Sequence, residues 1–520
     1  MDNRLSQIRK LSIFILSACS DAAAAAELIH LCRQLQPAEI IVVTDDLKRK
    51  DAAEANSLNC KVHLLDPKLS RNRPQGYPGG FRVCGDAVLF LRAGEAVDMT
   101  LLRRLLEPVL YGSCGVVLSD TGQRQGESLY PKQELAWASW FNALAGRSDL
   151  QGSSLQTAPF VLSKQAYLMI ADDLAINPAA AMLKLFGSGI RIERRPAPCR
   201  MEEADLGIGF RPEWSDALPA EVSRYERLII DDYMKAFQQM RLSERGGYSD
   251  GQRRRDLVKD MIEGHRKPKV EQGITGPASR LYKGMTLAVI IPASNEERTI
   301  GEVMRQARLL EPSEIIVVDN GSSDRTAGLA REHGATVIHV GEALGTDCGR
   351  AIGAFYSKCD ILLFVDSDFV LAAEEMYPFA RAVSSGYDIA LNDRSYLLDA
   401  GSREPLIAAT YALNSALGYK TLGASSMAYV PFAIHRRVLQ AIKEESLLCP
   451  PRALAASLAK GFTPVLASRI RWERRNRVRT EKHRSSSGLS PAAVQIMGDH
   501  IEGLQFLMRT RKESDSSPFI

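Results

Sequence analysis

Two patterns of apolar residues alternate through residues 285–370. Leu287–Ala293 (LAVIIPA) is an unbroken apolar run rich in β-branched residues, the pattern of a strand buried on both faces. Behind it, Ile300, Val303, Met304 and Ala307 recur at helical spacing, with Ser294 or Asn295 as the opening cap. EIIVVDNGSSD (314–324) reads as strand and turn, TAGLAREHG (326–334) as a helix closed by Gly334, and ATVIHV (335–340) as a third strand. A helix over about 346–357 leads into DILLFVDSD (360–368), a fourth strand. All-apolar strands alternating with helices predict an α/β unit with a mainly parallel sheet covered on both faces. Ligands of such sheets bind beyond the carboxyl ends of strands, and 292–297, 319–324 and 366–368 all gather polar residues at such ends.

The same pattern occurs earlier in the chain. LSIFILSACSDAAAAAELIHLCRQLQPAEIIVV (11–43) aligns without a gap to 286–318, with 11 of 33 positions identical. Further matches follow in order: 85–94 with 359–368, 141–160 with 413–432, Pro178 and Gly189 with Pro450 and Gly461, and 231–241 with 499–509. The offset drifts only from 275 to 268, which predicts a tandem duplication. The domains expected are 1–243 and 285–520, joined by a polar, Gly-rich linker over 244–284. The apolar stretch near the amino terminus imitates a signal peptide. Its match to a core strand of the second copy reads it instead as a buried strand followed by a helix.

Composition narrows the classes. Hydrophobic residues make up 45% and charged residues 25%, ordinary for a soluble globular protein. Lys+Arg 66 against Asp+Glu 62 leaves +4 over 520 residues, which argues against a nucleic-acid binder. No run approaches the roughly 18 apolar residues of a membrane span. The nine cysteines are odd in number, scattered and without a CxxC pair, which fits a reducing, cytoplasmic setting.

Asp366-Ser367-Asp368 is the most informative motif. Two carboxylates two residues apart at a strand end can share one Mn²⁺ or Mg²⁺ ion, and that ion can neutralise a diphosphate leaving group. The competing reading is a pair of solvated turn aspartates. Asp319 can accept hydrogen bonds from a nucleobase or ribose. Glu296 suits either a ribose contact or the helix dipole, and Arg350 either a diphosphate or a helix surface. RIRWERRNRVRTEKHR (469–484) holds eight Lys/Arg and two Glu around Trp472. It reads as a basic arm for a diphosphate, an anionic acceptor or anionic lipid, or as a solvated basic helix. His333, His339, His435 and His500 read as structural.

PASNEERTI, EIIVVDNGSSDRT, GRAIGAF and DILLFVDSD, in this order, resemble the donor-binding half of family-2 glycosyltransferases with the GT-A fold. GASSMAYVPFAIHR (423–436) is similar to the acceptor-side segment of that family. The resemblance implies two GT-A-like, Rossmann-like domains in tandem, and inverting transfer of a sugar from a nucleotide diphosphate, with UDP expected. It implies donor contacts from Pro292, Glu296, Asp319, Arg350, Asp366 and Ser367, and a metal held by Asp366 and Asp368, with His483 as a further ligand. The acceptor stays open: a glycan, a lipid phosphate or a small molecule, with peripheral membrane contact through the basic arm. Many members carry Glu-Asp as catalytic base where this chain has Cys449-Pro450-Pro451. Asp393 and Glu445, with Glu444 beside it, are the substitutes considered; an ionised phosphate acceptor, as in dolichyl-phosphate mannose synthases, would need none.

In the first copy, Arg92-Ala93-Gly94 stands where the second has Asp366-Ser367-Asp368, and Thr44 stands at Asp319. This predicts a non-catalytic copy. The remaining alternatives are a scaffold with two inactive units, or a nucleotidyltransferase, which PASNEERTI disfavours because it lacks a Gly-rich loop.

Overall fold

The apolar runs become the strands of two separate sheets. The computed structural model describes residues 10–16, 22–44, 60–64, 77, 81–94, 97–120, 133–196, 215–216, 223–399, 404–471 and 489–516. The chain divides into two units, 1–207 with 222–241 and 403–408, and 208–221 with 242–402 and 409–520.

The first unit contains β1 (Leu11–Leu16), α1 (Ala22–Cys32), β2 (Glu39–Thr44), β3 (Lys61–Leu64), β4 (Ala87–Arg92), α2 (Met99–Leu110), β5 (Val116–Asp120), α3 (Gln133–Leu144), β6 (Phe160–Ser163), α4 (Lys164–Ile176), α5 (Pro178–Phe186), β7 (Ile192–Pro196) and α6 (Arg224–Gln239). Its sheet order is β3-β2-β1-β4-β6-β5-β7. β1 lies parallel between β2 and β4, and all six of its residues are buried. The segment that imitated a signal peptide is therefore an inner strand. Phe14, Phe90 and Phe160 stack across three strands at centroid distances of 4.9 and 4.7 Å.

The second unit contains β8 (Ser215–Asp216), α7 (Arg255–Ile262), β9 (Lys269–Glu271), β10 (Leu287–Ala293), α8 (Ile300–Arg308), β11 (Glu314–Asp319), α9 (Thr326–Glu332), β12 (Thr336–His339), α10 (Cys348–Tyr356), β13 (Ile361–Phe364), α11 (Ala373–Ser384), β14 (Ile389–Asn392), α12 (Tyr396–Asp399), α13 (Pro405–Ala416), β15 (Phe432–His435), α14 (Arg436–Ile442), α15 (Pro450–Ala459), β16 (Pro464–Ser468) and α16 (Pro491–Ser516). The sheet runs β8-β16-β14-β15-β13-β10-β11-β12-β9. β10 is parallel to β11 and β13, while β15 runs antiparallel between β13 and β14. The inner seven strands repeat the order and directions of the first sheet. Loop details repeat too. Asn142 donates to the carbonyls of Gln151 and Ser153, and Asn414 does the same to Gly423 and Ser425.

The segment 244–284, expected as a linker, is built into the second unit instead. β9 pairs antiparallel with β12, α7 buries Val258 and Met261, and the Arg253 side chain is fully buried. Its arginines look like solvated charge in the sequence, but they are there to answer buried carboxylates.

α10 lies unusually close to β10. A Cβ on Gly349 would come 2.9 Å from Pro292 Cβ, and one on Gly353 would come 2.5 Å from Ile290 Cγ2. Gly353→Ala is expected to cost about 1–3 kcal/mol through overpacking. Gly328→Ala, in α9 with nothing within 4 Å, should cost nothing or stabilise the protein. Urea denaturation of both variants checks this; equal midpoints would show that the contact yields freely.

Candidate functional site

Five loops meet at the carboxyl edge of the second sheet, after β10, β11, β13, β14 and β16. The first three are tied to one another. After β10, the Asn295 side chain accepts from the Ser323 amide at 2.8 Å, and the Asn295 amide donates to Ser322 Oγ at 3.1 Å. Asn295 holds a positive φ of 57°, a conformation asparagine tolerates well. The Glu296 amide donates to Thr326 Oγ1 at 2.7 Å, and the Glu296 side chain is buried. Thr299 Oγ1 donates to the Ser367 carbonyl at 2.6 Å, and Ser367 Oγ donates to the Pro292 carbonyl at 2.8 Å. The hydroxyl of Ser367 thus serves to fasten the Asp366–Asp368 loop to the end of β10, and Pro292 is where it is fastened.

Asp366 lies just beyond β13, its side chain 34% exposed, and its Oδ1 is 3.0 Å from Arg350 Nη2. The Arg350 guanidinium is buried, donates to Asp347 Oδ1 at 2.7 Å and sits 5.9 Å from the Phe432 ring centroid. Arg350 is therefore an interior residue of α10 rather than a surface one. Asp347 is buried, and burial pushes its carboxyl up to about 6, against the pull of Arg350 and Arg253.

Asp319, at the end of β11, accepts from the Ser322 amide at 3.1 Å, and its other oxygen is 3.2 Å from His339 Nδ1. His339 Nε2 lies 3.5 Å from Glu271 Oε1 on β9. His339 had read as structural; it stands instead directly against Asp319, brought there by the parallel register of β11 and β12. No periodicity in the sequence marks that pairing.

The two candidate bases part company. Asp393 follows β14 on this same edge. Burial opposes its ionisation, but hydrogen bonds from Ser395 and the Arg469 guanidinium outweigh that and hold its carboxyl below the usual range. Glu444 lies 3.9 Å from Arg436, which hydrogen-bonds the carbonyls of Ala354 and Cys359 ahead of β13. That is the amino edge of the sheet, and Glu445 is the next residue on the same short turn (444–448). The structure brings Asp393, but not Glu445, to the edge that carries Asp366. His483, and the basic arm from 472 onward to 484, fall outside the described residues.

A second charged cluster backs this edge. Arg253 Nη1 is 3.5 Å from Asp347 Oδ2 and 3.2 Å from Asp499 Oδ2. Arg245 donates to Asp499 at 2.7 Å, and Arg255 donates to Glu502 at 2.8 and 3.0 Å. Cys449, Asp499 and Glu502 lie close enough to share an ion, but three guanidiniums already answer the two carboxylates. The Cys449 thiol is buried and pushed far above its ordinary range.

In the first unit, β4 ends on Arg92 and a turn at Ala93 and Gly94 follows, with no carboxylate at those positions. No disulfide occurs among the described residues, and none of the described helices is long and apolar enough to cross a membrane.

Residues 288–424 match the model of the family described as glycosyl transferase family 2. A 4,4'-diaponeurosporenoate glycosyltransferase of Staphylococcus haemolyticus is 39% identical over 98 residues, 17% of this chain and 26% of its own length. Its counterpart in Staphylococcus aureus is 36% identical over 93 residues, 17% of this chain and 25% of its own. The chain thus spans about a quarter of the length of the curated relatives it matches. Among solved structures, glucosyl-3-phosphoglycerate synthase from Mycobacterium tuberculosis, in complex with Mn²⁺, UDP and glucosyl-3-phosphoglycerate, is 22% identical with a TM-score of 0.30, over 38% of this chain and 75% of that one. The same synthase with Mg²⁺ and UDP gives 22% and 0.30 over 38% and 74%.

Proposed function

We propose that residues 285–510 transfer a sugar from a nucleoside diphosphate, with UDP expected, to an acceptor nucleophile, with inversion and with Mn²⁺ or Mg²⁺ at Asp366 and Asp368. The observation that carries this reading is the pinned loop Asp366–Asp368, set beyond β13 and joined to Arg350, on the same edge as Asp319 and Glu296. The match to glycosyl transferase family 2 spans these residues. The donor set suits a hard divalent cation: carboxylate oxygens on a partly exposed loop. Bound there, the cation would supply charge neutralisation for the departing diphosphate.

The chain's own groups divide the remaining work. Asp319, oriented by Ser322 and His339, would accept from the nucleoside. Arg350 would hold Asp366 in place and add positive charge beside the diphosphate. Asp393 is the candidate base on this edge, but hydrogen bonds from Ser395 and Arg469 hold it as a weak one, which favours an acceptor that needs little deprotonation. The basic stretch 472–484 would supply any peripheral membrane contact, and a cytoplasmic location fits nine scattered cysteines without a CxxC pair.

The N-terminal unit reads as a duplicated copy that has lost the chemistry. Its support is the shared strand order, the repeated Asn142/Asn414 geometry and Arg92 in place of Asp366. Calorimetry with UDP, with and without Mn²⁺, tests the main reading against a scaffold. Transfer chemistry requires UDP binding that strengthens with the metal; heat that is absent, or indifferent to Mn²⁺, would favour the scaffold.

A further inference from the structure

We infer that Arg394, Arg469 and Arg471, set against Tyr396 and Tyr429, form a subsite for an oxyanion carried by the acceptor, a phosphate monoester or a carboxylate. This rests on the transfer reading given above and adds the chemical class of the acceptor. The Arg394 guanidinium carbon stands 3.7 Å from the Tyr429 ring centroid, and those of Arg471 and Arg469 stand 4.7 and 5.9 Å from the Tyr396 centroid. Arg394 and Tyr429 are both buried. Arg469 Nε and Nη2 grip one oxygen of Asp393 at 3.1 and 2.8 Å. The Asn392 side chain clamps both backbone groups of Ile470, at 2.8 and 3.1 Å, so the residues either side of Ile470 hold their places. The group brings three guanidiniums and the Asp393 carboxylate together. Planar, pre-placed guanidiniums suit an anion that presents two or three oxygens.

The sheet places this group relative to the donor loop. β15 pairs antiparallel with both β13 and β14. β13 and β14 flank β15 and run in the same direction, so Asp366 and Arg394, each two residues beyond the end of its strand, leave the same edge of the sheet. Arg394 is thus two strand spacings, about 10 Å, from the Asp366–Asp368 loop. A diphosphate held at that loop would leave room for one sugar ring before an anionic group reached Arg394. An acceptor whose nucleophile lies a few bonds from its oxyanion fits that interval. An anion paired here would orient the acceptor's attacking atom through binding energy at a remote charge.

Phosphate titrated by calorimetry into the full chain tests this, with Mg²⁺ and saturating UDP and again without UDP, for wild type, Arg394→Gln and Arg471→Gln. Phosphate should bind the UDP-loaded protein, and each variant should weaken it roughly tenfold, the loss of one charge-assisted contact, with UDP affinity unchanged. Phosphate binding that ignores both variants, or is absent in wild type, overturns the subsite. UDP weakening in step with phosphate also overturns it, by assigning the arginines to the donor's diphosphate. Failure of UDP to bind wild type overturns the transfer reading alone, and the UDP-free titration then judges the subsite by itself. Arg471 is exposed, so its variant decides the matter if Arg394→Gln fails to fold. A parallel titration with acetate separates a carboxylate site from a phosphate site.

Discussion

Asp368→Ala is expected to lower metal-dependent turnover of a UDP-sugar by about 10³-fold while leaving the fold intact. The size follows from removing one of two ligands for the ion that would neutralise the leaving diphosphate, worth several kcal/mol in the transition state. Asp366 also carries the contact to Arg350, so its removal would leave a buried guanidinium with one partner fewer. Initial rates of UDP-sugar hydrolysis across a Mn²⁺ titration, with melting curves alongside, read both effects. Equal rates for variant and wild type would sink the assignment of the metal to this loop. A loss that high Mn²⁺ rescues would support it, because a ligand lost to the ion shows first as weaker metal binding.

Arg253→Met is expected to destabilise the second unit by about 3–5 kcal/mol, the loss typical when one partner of a buried ion network is removed. The Arg253 side chain has no exposure, and it meets Asp499, 1% exposed, and Asp347, 7% exposed. Without it those carboxylates stay buried with less compensation, and the cost of desolvating them no longer finds its return. Its neighbour Arg254 bonds only to exposed Asp256 and Glu342, so Arg254→Gln should show no measurable loss. Urea unfolding followed by circular dichroism compares the two. Similar midpoints for both variants would show that the network contributes little. Because Arg253 reaches Asp347, and Asp347 holds Arg350, the same variant should also loosen Arg350 against Asp366.

The strands of the second unit were legible because Leu287–Ile291, Ile315–Val318 and Ile361–Phe364 are all buried, so apolar continuity alone marks them. The edge bearing Asp319 and Asp366 was equally legible, since polar residues directly after a parallel strand can only lie at its carboxyl end. The segment 244–284 was not. Its arginines are polar in any composition count, and nothing local shows that Asp499 and Glu502 on α16, some 250 residues away, require them.

The two candidate bases mark the same boundary. Asp393 and Glu445 are indistinguishable as acidic residues in the sequence. Only the antiparallel turn of β15 sends the chain after it, with Glu444 and Glu445, toward the opposite edge from Asp366. His339 likewise gains its place beside Asp319 solely through the register of β11 and β12.

The sequence by itself determined the alternation of strands and helices, the inner place of the amino-terminal apolar run, and the absence of carboxylates from Arg92-Ala93-Gly94, because these depend on burial period and residue chemistry. Tertiary structure decided which charges meet: Arg350 with Asp347 and Asp366, Arg253 with Asp499, and Arg394 and Arg471 with their tyrosines. Those pairings join residues distant in sequence, and a buried charge is stable only where the fold delivers its partner.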